Sequence, residues 1–246
     1  MTIPAPWRRP PRLQVVVTCE HASNAVPRDL HGLGLPASVL RSHRGWDPGA
    51  LPIARSLAKV LAAPLHVGPW SRLVVDLNRS DDHPRVIARR VDGRTVPGNV
   101  LSAAARQDRI DWHWRPWRDA VVRDIESAAA RGLVLHLSVH SFVEKLGGVE
   151  RKNDVGLLHD PRRPQELAFC EALRRPLAAA GLVVRRNFPY FGHTDGFTSW
   201  LRSRWPANRY LGIEIECNQR LSRTVPGQRR LLRALGDALR TLTAVP

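Results

Sequence analysis

Two histidines, His21 and His140, each directly follow an apolar run that reads as a buried strand. Cys19-Glu20-His21 comes after LQVVVT (13–18), and His140-Ser141 comes after LVLHLSV (133–139). Two imidazoles brought together with one carboxylate are the ligand set of a catalytic zinc that keeps a fourth position for water. Glu20 and, less directly, Asp47 are the nearby carboxylates. The plainer account makes each histidine a loop residue bonded to backbone; the chain has no HExxH, and spacing alone names no metal. Glu214 sits in GIEIE (212–216), an otherwise apolar strand. Burial there disfavours its charged form and raises its pKa unless a cation or metal offsets it, as a general base beside a metal-bound water requires. Strand alternation puts Glu214 and Glu216 on one face, and salt bridges to neighbouring arginines are the competing explanation. Asn78-Arg79 pairs a neutral donor with a planar guanidinium, which suits two-pronged capture of a carboxylate; Arg72 is placed to do the same. The loop PYFGHTDGFTS (189–199) carries His193, Asp195 and Thr198. It reads either as a substrate loop or as a turn with helix caps. No GxSxG nucleophile elbow and no phosphate loop occurs.

The elements that must position these residues alternate between two periods. Short β-rich runs at 13–18, 65–67, 73–77, 133–139, 155–158, 182–185 and 210–215 predict strands. Helical spacing predicts helices over 47–62, 102–130, 164–180 and 227–243, with Asp47-Pro48 as a helix start and Pro116 as a break. Residues 80–99 read as a long polar loop. Such alternation implies one α/β domain over residues 1–246, with a mixed, mostly parallel sheet and helices on both faces. Ligands of such sheets bind outside the carboxyl ends of the strands. Those ends are where Glu20, His21, Asn78, Arg79, His140 and Glu214 fall.

Composition bounds the function classes. The chain has 246 residues, 43% hydrophobic and 24% charged, which suits a packed core and excludes disorder. Its 38 basic against 22 acidic residues give a formal charge of +16, and nucleic-acid binding is the first idea this raises. Lysine occurs only at positions 59, 145 and 152, and the remaining cations are arginines scattered along the chain. A biased codon pool produces that skew, and no basic block is present, so nucleic acid is the weaker alternative. Cys19, Cys170 and Cys217 lie far apart and form no CxxC, which fits a reducing compartment. No run has signal-peptide or membrane-spanning length, so the expectation is a soluble, cytoplasmic protein, not membrane-bound, with residues 1–12 flexible.

Taken in order, the segments TCEHASNAVP (18–27), HRGWDPGA (43–50), RLVVDLNRS (72–80), LSVHSF (137–142), DVGLLHDPR (154–162), NFPYFGHTDGFT (187–198) and GIEIECNQ (212–219) resemble the N-formylglutamate amidohydrolase family. The resemblance implies a phosphorylase/hydrolase-like α/β fold related to zinc carboxypeptidases and aspartoacylase. It also implies hydrolysis of an amide C–N bond, with N-formyl-L-glutamate as the namesake substrate. Carried onto this chain, His21 and His140 are the zinc histidines and Glu214 is the base. Asn78 and Arg79 match the pair that holds a substrate carboxylate, with Asp47, Asp195 and Thr198 as further substrate contacts. Where carboxypeptidase relatives have a glutamate three residues after the first histidine, this chain has Asn24. The third ligand is accordingly Glu20, Asn24 or Asp47, with Glu20 placed first. The implied partner is a small anionic N-acyl amino acid, and an amidohydrolase acting on a different N-acyl amino acid or a peptide is the alternative within the class.

Overall fold

The computed structural model describes residues 6–244. Its main sheet has six strands: β1 (Leu13–Cys19), β2 (Leu65–Val67), β3 (Leu133–Phe142), β4 (Val155–Leu158), β5 (Val184–Arg186) and β6 (Tyr210–Asn218). They lie in the order β2-β1-β3-β6-β4-β5. Only the β6–β4 pair is antiparallel. Five helices of eight residues or more pack around it: α1 (Ala50–Val60), α2 (Arg115–Arg131), α3 (Pro164–Ala179), α4 (Phe197–Arg204) and α5 (Val225–Thr243). None of the helices among the described residues is long and apolar enough to cross a membrane. Of the stretch expected to be flexible, residues 1–5 lie outside the described residues. Trp7 stands edge-on to Phe169 of α3 and donates to the Leu242 carbonyl of α5 at 3.4 Å.

The pleat of β3 explains how the layers and the site share one sheet. Leu133, Leu135, Leu137 and Val139 face α1, α3 and α5, forming the larger apolar core with Val17, Ile213 and Leu235. Val134 points the other way, to Val121 and Ile125 of α2 and Phe197 and Leu201 of α4. Further along that second face the residues at period two change type. Thr18, His136, Ser138, His140, Glu214 and Glu216 are all polar and all buried. A sheet covered on both sides favours apolar residues throughout, so six polar ones on a single face mark where the packing rule gives way to chemistry.

Three expectations are corrected. Residues 73–77 form turn and extended chain rather than a strand: Val74 N–H donates to Ser71 O, and Asp76 N–H to Val86 O. Leu73 and Val74 pack with Leu33 and Val96, whereas Val75 and Leu77 pack with Val86, Ile110 and Trp114. An apolar run records burial on both sides, and a loop wedged between two clusters satisfies it as well as a strand does. Second, Asp47 does not cap α1. Gly49, at φ 84°, takes the N-cap position, and its missing Cβ leaves room for Ser222 O, which a Cβ would approach to 2.1 Å. Third, the segment around Pro116 breaks just before the proline: Ala103–Arg109 is α-helical, Ile110–Trp114 a π-turn, and α2 begins at Arg115.

His136, fully buried in mid-β3, has its pKa lowered by burial from 6.5 to about 4 despite the nearby Glu20 charge. The unfolded chain takes up this proton near 6.5 while the folded one stays neutral to about 4. Stability from this group is therefore complete above 6.5 and is lost as pH falls towards 4. His136→Gln removes the proton, so its unfolding free energy is expected to fall less steeply across that window than the wild type's. Chemical denaturation at a series of pH values checks this, and equal slopes would contradict a buried neutral imidazole.

Candidate active site

At the carboxyl ends of β1 and β3, three buried side chains converge: His21, Asp47 and His140 each offer a ligand atom within 4.8 Å of the others. Both imidazoles present Nδ1 to the same carboxylate oxygen, Asp47 Oδ2, at 3.5 Å from His21 and 2.9 Å from His140. Three loops weave this arrangement together. Asp47 N–H donates to His21 O at 2.9 Å, Arg72 N–H to Gly45 O at 3.0 Å, and Ser71 N–H to Ala25 O at 2.8 Å. Burial would raise the Asp47 pKa, but the charge of Arg72 and the hydrogen bond from His140 hold it well below the usual carboxylate range.

The outer nitrogens are tied back. His21 Nε2 lies 2.6 Å from Asp76 Oδ1. His140 Nε2 lies 2.9 Å from Ser138 Oγ and 3.2 Å from Glu20 Oε2. Arg72 Nη2 donates to His21 Nδ1 at 2.5 Å and pairs with Asp47 Oδ1. An acceptor at Nδ1 requires the proton of a neutral His21 to sit on Nε2, facing Asp76. Carboxylates that hold the outer nitrogens of two histidines fix which ring nitrogen faces inward, as they do where histidines bind metals. Two imidazole nitrogens and one carboxylate oxygen converging on the same point give a donor set that suits a divalent cation. Glu20, expected as third ligand, lies on the far side of His140, and Asp47 stands in that place. Burial would raise the Glu20 pKa, yet the hydrogen bond and charge of His140 bring it down to about 2.

The other expected residues form a second group, latched across the mouth. Asn78 Oδ1 accepts from Phe197 N–H at 2.7 Å, at the start of α4. Arg79 Nη1 donates to Asp195 O at 2.9 Å, and Ser80 Oγ to Asp195 Oδ1 at 2.6 Å. Thr198 Oγ1 donates to Glu214 Oε1 at 2.6 Å. Within this group the Asn78 and Glu214 side chains meet at Gly196, where a Cβ would lie 3.5 Å from both Asn78 Oδ1 and Glu214 Oε1. Beneath the latch Arg118 is fully buried and donates to Leu77 O at 2.9 Å. Its guanidinium stacks 4.0 Å from the Phe197 ring and 4.4 Å from those of Trp114 and Trp200. Glu216 lies in register with His140 on the adjacent strand, so the two side chains share a face. Its Oε2 is buried without a hydrogen-bond partner. Burial and the charges of Asp47 and Glu214 push its pKa up to about 8.

Sequence reasoning counted Asp76 among the polar residues at strand ends but gave it no role, and left out Thr18, Ser138, His136 and Arg118. For the strand residues a signal existed: His136, Ser138 and His140 recur at period two inside LVLHLSVHSF. Arg118, one arginine among many, carried none.

Comparison with known proteins places this geometry. The N-formylglutamate amidohydrolase family model matches residues 13–222. A gene product of Agrobacterium tumefaciens of known structure is 34% identical, covering 93% of this chain and 91% of its own, with a TM-score of 0.80. The N-formylglutamate amidohydrolase of Ralstonia eutropha, at 24% identity, covers 96% of this chain and 94% of its own with a TM-score of 0.76, and shares the fold. No curated protein matches the sequence. With a family match running from the first strand to the turn after the last, the chain belongs to the N-formylglutamate amidohydrolase family, hydrolases of an amide C–N bond.

Proposed function

We propose that the chain is a metal-dependent hydrolase of N-formyl acidic amino acids, N-formyl-L-glutamate first among them. The observation that carries this reading is the pair of Nδ1 atoms facing each other across Asp47, each imidazole braced from behind by a carboxylate. His21, Asp47 and His140 would hold the metal, with Zn²⁺ the ion that best suits two nitrogens and one carboxylate. Zinc held there would supply a bound water with its pKa lowered to about 7 and a Lewis acid for the scissile carbonyl.

The chain's own residues supply the rest. Thr198 fixes Glu214 by Oε1, leaving Oε2 to take a proton from the attacking water and pass it to the departing amine nitrogen. The water oxygen joins the formyl carbon as the C–N bond breaks, giving formate and the free amino acid. Arg72 donates to the carbonyl oxygen as charge develops on it, a contact worth about 3 kcal/mol per donor. Arg79 uses only Nη1 in the latch and its side chain is 34% exposed. Its remaining nitrogens, with Asn78 Nδ2, bind a substrate carboxylate. The same latch makes Asp195 and Thr198 substrate-loop residues through Arg79 and Glu214.

Purified protein treated with a chelator is expected to lose formate release and to regain it with Zn²⁺. Glu214→Gln should lower kcat by roughly 10²–10⁴, the range for a general base, while metal content by elemental analysis stays at wild-type level. Full turnover in that variant would remove Glu214 from the chemistry. If zinc-loaded protein releases formate from no N-formyl amino acid, the reading fails; an N-acetyl series then tests the alternative within the class.

Arg79→Ala should raise KM for N-formyl-L-glutamate about 10- to 100-fold, matching a charge-assisted hydrogen bond of about 1.5–3 kcal/mol. With a chain charge of +16, kcat/KM for this dianion should fall as salt rises while kcat holds. Steady-state kinetics at several ionic strengths separates the two parameters, and a flat kcat/KM would exclude steering.

A further inference from the structure

We propose that Tyr210, His136, Thr18 and Glu20 form one directional hydrogen-bond line whose role is to position His140, holding its Nε2 inward so that Nδ1 is the nitrogen presented to Asp47 and His21. The inference rests on the metal reading above, and it assigns work to four residues outside the cluster.

The direction of each bond follows from donor chemistry. Thr18 Oγ1 lies 2.6 Å from Glu20 Oε1. An ionised carboxylate only accepts, so the single Thr18 hydroxyl proton goes to Glu20. Thr18 Oγ1 also lies 2.8 Å from His136 Nε2, and with its own proton spent it must accept there. His136 is thereby fixed with its proton on Nε2. Its Nδ1 lone pair then receives the Tyr210 hydroxyl, 2.6 Å away. At the other end Ser138 Oγ donates to Glu20 Oε2 at 2.8 Å and stands 2.9 Å from His140 Nε2. Ser138, its proton likewise spent, accepts from His140 Nε2–H, and Glu20 Oε2 at 3.2 Å shares that proton. Reversing any one bond leaves a buried group without its partner.

Burial is what gives the line its force. Thr18, His136, Ser138 and Tyr210 are 0% exposed, Glu20 1% and His140 2%. Water cannot replace a lost bond here, so the pattern is obligatory rather than preferred. The line runs across three adjacent strands: Thr18 lies in β1, His136, Ser138 and His140 in β3, and Tyr210 in β6. The sheet thus holds it as rigidly as its own ladder. Its length also explains a Tyr and a His deep in an apolar layer, where Phe and Leu would pack without polar atoms to satisfy.

The test measures zinc affinity directly, by competition with a chromophoric chelator, in wild type, Thr18→Val, Thr18→Ser and Tyr210→Phe. Loss of a partner behind a metal-bound histidine weakens binding about 10- to 100-fold. Thr18→Val should show that loss, Thr18→Ser should recover wild-type affinity, and Tyr210→Phe should show a smaller loss. Thermal melting of the metal-free proteins separates this from general damage, because a purely structural defect lowers Tm without weakening zinc binding by the folded fraction. Nitrogen NMR of histidine-labelled, metal-free protein should show His136 as the Nε2–H tautomer. Zinc bound as tightly by Thr18→Val as by wild type, or an Nδ1–H His136, overturns the line. A wild type that binds no zinc overturns the metal reading and the line's purpose together, and is told apart by the zinc measurement on wild type alone.

Discussion

Carboxylates taken out of water set the terms for everything else in this site. Glu20, Asp47, Glu214 and Glu216 are buried, and the Asp76 side chain is 15% exposed. A buried charge is tolerable only when donors or counter-charges replace its hydration. Each acid's partners therefore dictate its neighbourhood: Thr18, Ser138 and His140 for Glu20; Arg72, the two histidines and the Ser141 amide for Asp47; His21 and the Asn78 amide for Asp76. The histidines are shared between acids on both sides, and so cannot turn. Removing one acid frees an imidazole, and freeing an imidazole strands another acid. The converging Nδ1 atoms are a consequence of this mutual constraint as much as of any bound ion.

The surplus of arginine takes on a different meaning inside the molecule. Arg202 is buried, pairs with Glu166, and donates to Gly192 O at 2.5 Å and Gly212 O at 2.6 Å. Arg163 donates to Tyr210 O, Arg202 O and Trp205 O. Arg118, without a carboxylate, uses aromatic faces instead, and burial lowers its pKa to about 9. These side chains pin backbone carbonyls of β6, α4 and the adjoining loops, a task the planar guanidinium performs better than an ammonium. Part of the positive charge thus holds residues 189–199 and α4 in place, and net charge alone says nothing of that division.

What the sequence made legible follows from the same physics. The buried strands were readable because burial on both faces leaves β-branched and aliphatic runs, and His21 and His140 stood out by ending two of them. Leu73–Leu77 misled because a plugged loop meets the same demand. Asp47 looked like a cap because Asp-Pro often opens a helix; Gly49 took over that boundary and left the carboxylate free for the cluster. The helix over Phe197–Arg204 was hidden by Gly and polar residues before it, and its first turn is set by a distant acceptor, Asn78 Oδ1. Thr18, His136 and Tyr210 were invisible as a unit because their partnership crosses strands more than 70 residues apart in sequence.

Glu216 is the exception to the pairing rule, and its position says why it can persist. A buried polar atom without a partner costs about 1–3 kcal/mol, a sum the fold has no reason to bear in a layer that otherwise satisfies every acid it buries. Glu216 shares a face with His140, and burial with the charges of Asp47 and Glu214 keeps it protonated near neutral pH, so its unpaired oxygen carries no charge. Its neighbour Glu214 already has Thr198 and needs no further help to stay in place. The pair therefore divides along the strand into a carboxylate oriented in advance and one left open, and the open one lies nearer the histidine that the whole buried network holds still.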